Sequence, residues 1–155
     1  MNKGALCVGI NDYENFSSLE GCVQDATKVS DSLRKNTDDT PNFHIHQLLS
    51  SKEVVKESLL RSSVRELFSH QNLDVALFYF AGHGANTASG SFLVGQDGIQ
   101  DNEGIYMAEV IAAANGSPAK ERVIILDCCH SGAVDDLFGG TFNMQLEKGV
   151  SILAA

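Results

Sequence analysis

A chain of 155 residues, 43% hydrophobic and 20% charged, has the composition of one globular domain whose core needs no disulfide or metal staple. Its formal net charge of -9 argues against a nucleic-acid partner, which would require clustered Lys and Arg. The longest apolar run, Val75 to Ala81, falls far short of the roughly 20 residues that cross a bilayer, so no membrane partner is expected.

The elements alternate along the chain. Residues 4–10, GALCVGI, read as a buried strand, and residues 21–36 carry apolar groups at 22, 26, 29 and 33, the spacing of a helix. Residues 43–49, FHIHQLL, read as a second strand. Residues 50–69 predict a helix opened by a Ser50/Glu53 capping box and supported by a Glu57–Arg61 pair at i,i+4. Residues 74–81, DVALFYFA, form a third strand, and residues 104–115 a helix. A fourth strand spans residues 122–127, RVIILD, and a fifth residues 149–155, GVSILAA. Residues 91–98, SFLVGQDG, are too short for the main sheet and suit a small hairpin.

Strands that are apolar nearly throughout and separated by helices predict an α/β fold: a mainly parallel sheet covered on both faces, a three-layer sandwich. Ligands of such sheets bind beyond the carboxyl ends of the strands. That rule selects Asn11-Asp12-Tyr13, Gly82-His83-Gly84 and the stretch from Asp127 to Gly132. A phosphate-binding loop is absent from the sequence, and Gly82-His83-Gly84 lacks the third glycine of a dinucleotide fingerprint.

The stretch RVIILDCCHSG, residues 122–132, places two cysteines where a strand runs out. Side chains alternate along an extended backbone, so Asp127 and Cys129 share one side while Cys128 joins Leu126 on the other. Cys128 is therefore expected in the core and Cys129 in the crevice. A nucleophilic thiol needs a base. His130 diverges from its own neighbour, whereas His83 ends the third strand between two glycines. It precedes Cys129 by 46 residues, close to the roughly 50 of the caspase pattern. Zinc at Cys128, Cys129 and His130 is disfavoured because adjacent side chains diverge, and no metal site is expected. The cysteines at 7, 22, 128 and 129 show no framework spacing, which suits a reducing cytoplasm, with Cys7 and Cys22 in the core. His44 and His46 read as surface or edge residues, and Asp97, Asp101 and Glu103 as a solvated loop.

YFAGHG (79–84) and DCCHSG (127–132) resemble the paired motifs of metacaspases and related prokaryotic caspase-like proteases. ALCVGINDY (5–13) and LEGCVQDA (19–26) resemble that family's first strand and first helix, so the resemblance covers nearly the whole chain. It implies a caspase-like fold over residues 1–155 in which Cys129 is the nucleophile and His83 the general base and acid. It also implies an oxyanion hole from the Gly84 and Cys129 amides, and a primary pocket lined by Asp25 and Asp127. Two carboxylates there imply protein substrates with Arg or Lys before the scissile bond. The resemblance needs no cofactor, although some family members require calcium. The family fold carries a sixth main strand, and only five are found here. The chain is thus expected to be the large-subunit portion, completed by a companion small-subunit chain or a C-terminal segment. The alternative is a catalytically silent caspase-like domain that serves as a binding or scaffolding module.

Overall fold

The computed structural model describes residues 1–128 and 145–154. Among them, the strands β1 (Lys3–Gly9), β2 (Phe43–Leu49), β3 (Val75–Gly82), β7 (Glu121–Cys128) and β8 (Val150–Ala154) form one sheet in the order β2-β1-β3-β7-β8. Every pairing in it is parallel. Helix α1 (Cys22–Arg34) covers one face; α2 (Glu57–Ser69) and α3 (Met107–Asn115) cover the other. The expected sandwich is the observed one. No helix among the described residues is long and apolar enough to cross a membrane.

The registers pair odd residues with odd, as in Cys7 with Tyr79 and Tyr79 with Ile125. Side-chain alternation therefore sorts the sheet by parity in β1, β3 and β7. Leu6, Val8, Phe78, Phe80, Ile124, Leu126 and Cys128 pack in the core under α2 and α3. Ala5, Cys7, Leu77, Tyr79 and Ala81 pack on the opposite face with Cys22 and Ala26 of α1. Burying the Cys7 thiol raises its pKa above the ordinary value, as befits a core thiol rather than a reactive one. Edge strand β2 alternates instead, with His44 and His46 exposed as expected.

Three boundaries differ from expectation. Ser50 does not open a helix, because its Oγ accepts the Asn11 amide at 3.0 Å and its own amide donates to the Gly9 carbonyl. Helix α2 begins seven residues later, at Glu57, whose amide donates to the Asp97 carboxylate at 2.8 Å. Residues 50–53 turn instead, and the segment after them is pinned: the Val55 amide donates to Gln96 Oε1 and the Gln96 amide to the Val55 carbonyl. The Glu57–Arg61 pair does form, and Arg61 also bonds Glu109 of α3 at 3.0 and 3.2 Å.

The second difference is a small antiparallel sheet, β4 (Gly84–Thr87), β5 (Gly90–Ile99) and β6 (Asn102–Tyr106), in place of a short hairpin. The third follows from it, since residues 104–106 belong to β6 and α3 starts only at Met107. Within this sheet the acids expected in a solvated loop have structural positions. Asp97 caps α2, and Glu103 is buried, one carboxylate oxygen accepting the Asp101 amide.

Arg122 ties the edge strand to the sheet. Buried at the start of β7, it donates to the carbonyls of Ala114, Ala119, Lys120 and Lys148 at 2.9–3.1 Å. Its backbone amide donates to Gly149, which turns into β8 with φ of 86°. A Cβ at that glycine would lie 2.4 Å from the Lys120 carbonyl, so the turn needs glycine for both reasons. Arg122→Ala should cost about 3 kcal/mol through lost charged hydrogen bonds and stranded carbonyls. Urea unfolding monitors it; Lys120→Ala, which removes only an exposed ion pair, should leave the midpoint nearly unchanged.

Candidate active site

The β3–β7 register opposes Ala81 to Asp127 and Gly82 to Cys128. His83 follows directly, at the carboxyl end of a central strand, where the alternative would be exposed edge or core. It is partly exposed. Cys128 faces the core as parity requires, and an added Cβ on Gly84 would lie 3.6 Å from both its Cβ and Sγ. Thus Gly84 stands beside the last described residue of β7. Cys129 lies outside the described residues, as do His130 and the rest of the motif to Gly132.

A loop from β1 encloses His83. The Asn11 carbonyl accepts the Leu19 amide at 2.7 Å and closes the loop, while Asn11 Oδ1 caps α1 through the Val23 amide. Tyr13 on this loop accepts the His83 backbone amide at 2.8 Å, and its ring lies 4.7 Å from the imidazole, centroid to centroid. Phe16 adds a second ring at 6.0 Å. His83 Nε2 lies 2.7 Å from the Ser17 carbonyl oxygen. A carbonyl only accepts, so Nε2 carries the proton and Nδ1 keeps its lone pair in the neutral ring. The ring is thereby oriented, and Nδ1 has no hydrogen-bond partner among the described residues.

Gly82 makes this arrangement possible. A Cβ there would sit 2.6 Å from the Tyr13 hydroxyl and 3.0 Å from the Phe80 ring. At Gly84 an added Cβ would meet only ordinary contacts, the nearest at 3.6 Å. The Val94 amide donates to the His83 carbonyl, so Gly84 and Leu93 form a non-hydrogen-bonded pair. The Gly84 amide accordingly points away from β5, free of the ladder.

The two acids fall on the α1 side. Asp25 occupies the first turn of α1, after Gly21, whose φ of 96° begins the helix. Asp127, on the odd face of β7, accepts a hydrogen bond from the Tyr79 hydroxyl on Oδ2 at 3.1 Å. Burial, and then the charges of Asp127 and Asp25, hold the Tyr79 phenol far above its ordinary pKa. Asp25, at the start of α1, and Asp127, near the end of β7, lie at the same end of the sheet, and only Asp127 bonds the Tyr79 hydroxyl among the described residues. No group of three or more His, Cys, Asp or Glu among the described residues converges as a metal site.

Phe16, the Ser17 carbonyl and Tyr79 escaped the sequence reading as contributors, while Tyr13 was selected there only as part of a strand end, with no role assigned. A backbone carbonyl has no sequence signal at all.

Comparison with known proteins matches residues 2–150 to the family model described as a caspase domain. Metacaspase-1A of Aspergillus niger is 27% identical over 159 residues, covering 87% of this chain and 37% of that protein. Metacaspase-1A of Neurospora crassa is 29% identical, over 99% of this chain and 38% of its own length. Metacaspase-5 of Trypanosoma brucei brucei is 28% identical, over 86% and 29% respectively. The chain thus spans little more than a third of the first two relatives, and less of the third.

The enclosure makes a structural prediction. Gly82→Ala should push Tyr13 off the His83 amide and lower the thermal midpoint, and Tyr13→Phe in the same chain should recover part of the loss by removing the clashing oxygen. A long-range nitrogen–proton correlation spectrum should show neutral His83 protonated on Nε2. A proton on Nδ1 would contradict the Ser17 bond.

Proposed function

Since the chain belongs to the caspase-domain family, a family of cysteine proteases, we propose that it is a cysteine endopeptidase working through His83 and Cys129. One observation supports this most: His83 sits at the end of β3 with Nε2 bound to Ser17, next to the end of β7, from which the chain runs on to Cys129. The burial of Cys128 in the core supports the second cysteine of the pair, Cys129, as the nucleophile in this reading.

The chemistry balances with water alone. Nδ1 of His83 takes the thiol proton, and the thiolate attacks the scissile carbonyl to form the carbon–sulfur bond. The Gly84 and Cys129 amides receive the developing oxyanion, donors that need no rearrangement as charge appears. Collapse breaks the carbon–nitrogen bond, and His83 returns its proton to the departing amine. Water, deprotonated by His83, then attacks the thioester; an acid is released and the thiol restored. No cofactor enters these steps, and calcium is not required by them.

Asp25 and Asp127 supply the specificity in this reading. Paired carboxylates attract Arg or Lys and repel an acidic side chain, so cleavage follows a basic residue. The reading extends to assembly. Among the described strands β8 is an edge, and Leu153 on it is 56% exposed. A companion small-subunit chain or a C-terminal segment would pair there as a further strand. A reducing cytoplasm suits a protein that depends on a thiolate.

Cys129→Ala should abolish turnover of Arg and Lys peptides. Cys128→Ala should keep most of it at about 1 kcal/mol of stability. Equal losses in two folded variants would overturn the assignment. A well-folded wild-type chain that ignores an Arg-directed electrophile would instead favour the silent scaffold.

Asp25→Ala should lower kcat/KM for Arg peptides by about tenfold while iodoacetamide still labels the thiol at the wild-type rate. A peptide library cleaved after Asp would refute the basic pocket.

A further inference from the structure

Tyr79 lies on the odd face of β3, 4% exposed and packed with Cys7, Cys22, Ala26 and Ala81. Its register partner is Ile125, two residues below Asp127 on the same face of β7. Ala81 stands between the phenol and the strand end on that face, and its methyl group is too short to block the path. The hydroxyl therefore reaches past it to Asp127 Oδ2 at 3.1 Å. The pair crosses from one strand to the next near the carboxyl end of the sheet.

Accepting Asp127 as a substrate-binding acid, we infer that Tyr79 is a positioning residue that sets the preference for Arg over Lys. A carboxylate on a strand end rotates unless something holds it. The Tyr79 hydroxyl holds one oxygen, leaving Oδ1 presented at a fixed angle. The phenol stays protonated, since burial and the nearby acids oppose its ionisation, so it remains a donor. Orientation matters unequally to the two substrates. A guanidinium is a rigid planar fork that needs its acceptors at set angles, whereas an ammonium is a point charge with rotatable donors. A freely turning Asp127 would thus still attract Lys but would hold Arg less well.

The test is Tyr79→Phe in the full chain, which keeps the buried ring and removes only the hydroxyl. The kcat/KM for an Arg peptide should fall about tenfold, chiefly through KM, and that for the matched Lys peptide about threefold or less. The same substitution in an Asp127→Ala background should have no further effect, because the hydroxyl acts through that carboxylate. Agmatine binding to the Cys129→Ala protein, measured by calorimetry, should weaken in parallel with the Arg peptide. Equal losses on Arg and Lys, or an added loss without Asp127, would overturn the inference. Unchanged kinetics would do the same. Iodoacetamide labelling at the wild-type rate and an unchanged fold by circular dichroism are expected; a variant slowed in both labelling and turnover would mark Tyr79 as merely structural. If the unsubstituted chain cleaves after acidic residues, the basic pocket itself fails, and with it this inference, before any substitution is made.

Discussion

Parallel pairing of β3 with β7, Ala81 against Asp127 and Gly82 against Cys128, is the constraint from which the site follows. Because both strands run in the same direction, their carboxyl ends arrive together, and the residues following them leave from the same rim. Because side chains alternate, the same register sends Leu126 and Cys128 into one core and directs Asp127 to the α1 side. A shift of one residue in either strand would exchange those faces, burying a carboxylate and exposing a thiol. The two packed cores forbid that shift. Phe78, Phe80, Ile124 and Leu126 fill one face and Leu77, Tyr79 and Ala81 the other, so the chemistry at the rim is indexed by apolar packing well below it.

What surrounds His83 is held from two directions. From one side comes the loop closed by Asn11, bringing Tyr13, Phe16 and the Ser17 carbonyl. From the other comes the small sheet, whose first strand begins at the next residue and whose Val94 amide anchors the His83 carbonyl. That small sheet does a second task. Gln96 and Asp97 on β5 fasten the entry to α2, and Asn15 of the loop donates to Gly98 on the same strand. The histidine, the enclosing loop and the start of α2 are therefore linked by hydrogen bonds through β5. Displacement of β5 would reach both the imidazole and the helix beneath the main sheet.

The family's fold and chemistry were legible in short motifs, because each is a local pattern. Gly82-His83-Gly84 and Asp127-Cys128 mark strand ends whose identity depends on the apolar runs before them. The errors arose where a local pattern met a distant competitor. Ser50 and Glu53 spell a capping box, but the Ser50 hydroxyl is engaged by Asn11, 39 residues away, and the true cap of α2 is Asp97, 40 residues from Glu57. Residues 104–106 read as the first turn of a helix until β5 offers them a strand partner. Glu103 and Asp97 look solvated because charge in a loop usually is.

By itself the sequence determined the alternation of strands and helices, the parity that separates Asp127 from Cys128, and the motifs that mark the caspase-domain family. These depend on repeats of two and about 3.6 residues, which a chain carries wherever it is placed. Tertiary structure alone decided which groups orient them. Tyr13 and Ser17 meet His83 across 70 and 66 residues, and Tyr79 meets Asp127 across 48. Such contacts follow from strand order and from register, which are settled by how two apolar faces pack and leave no trace in local spacing.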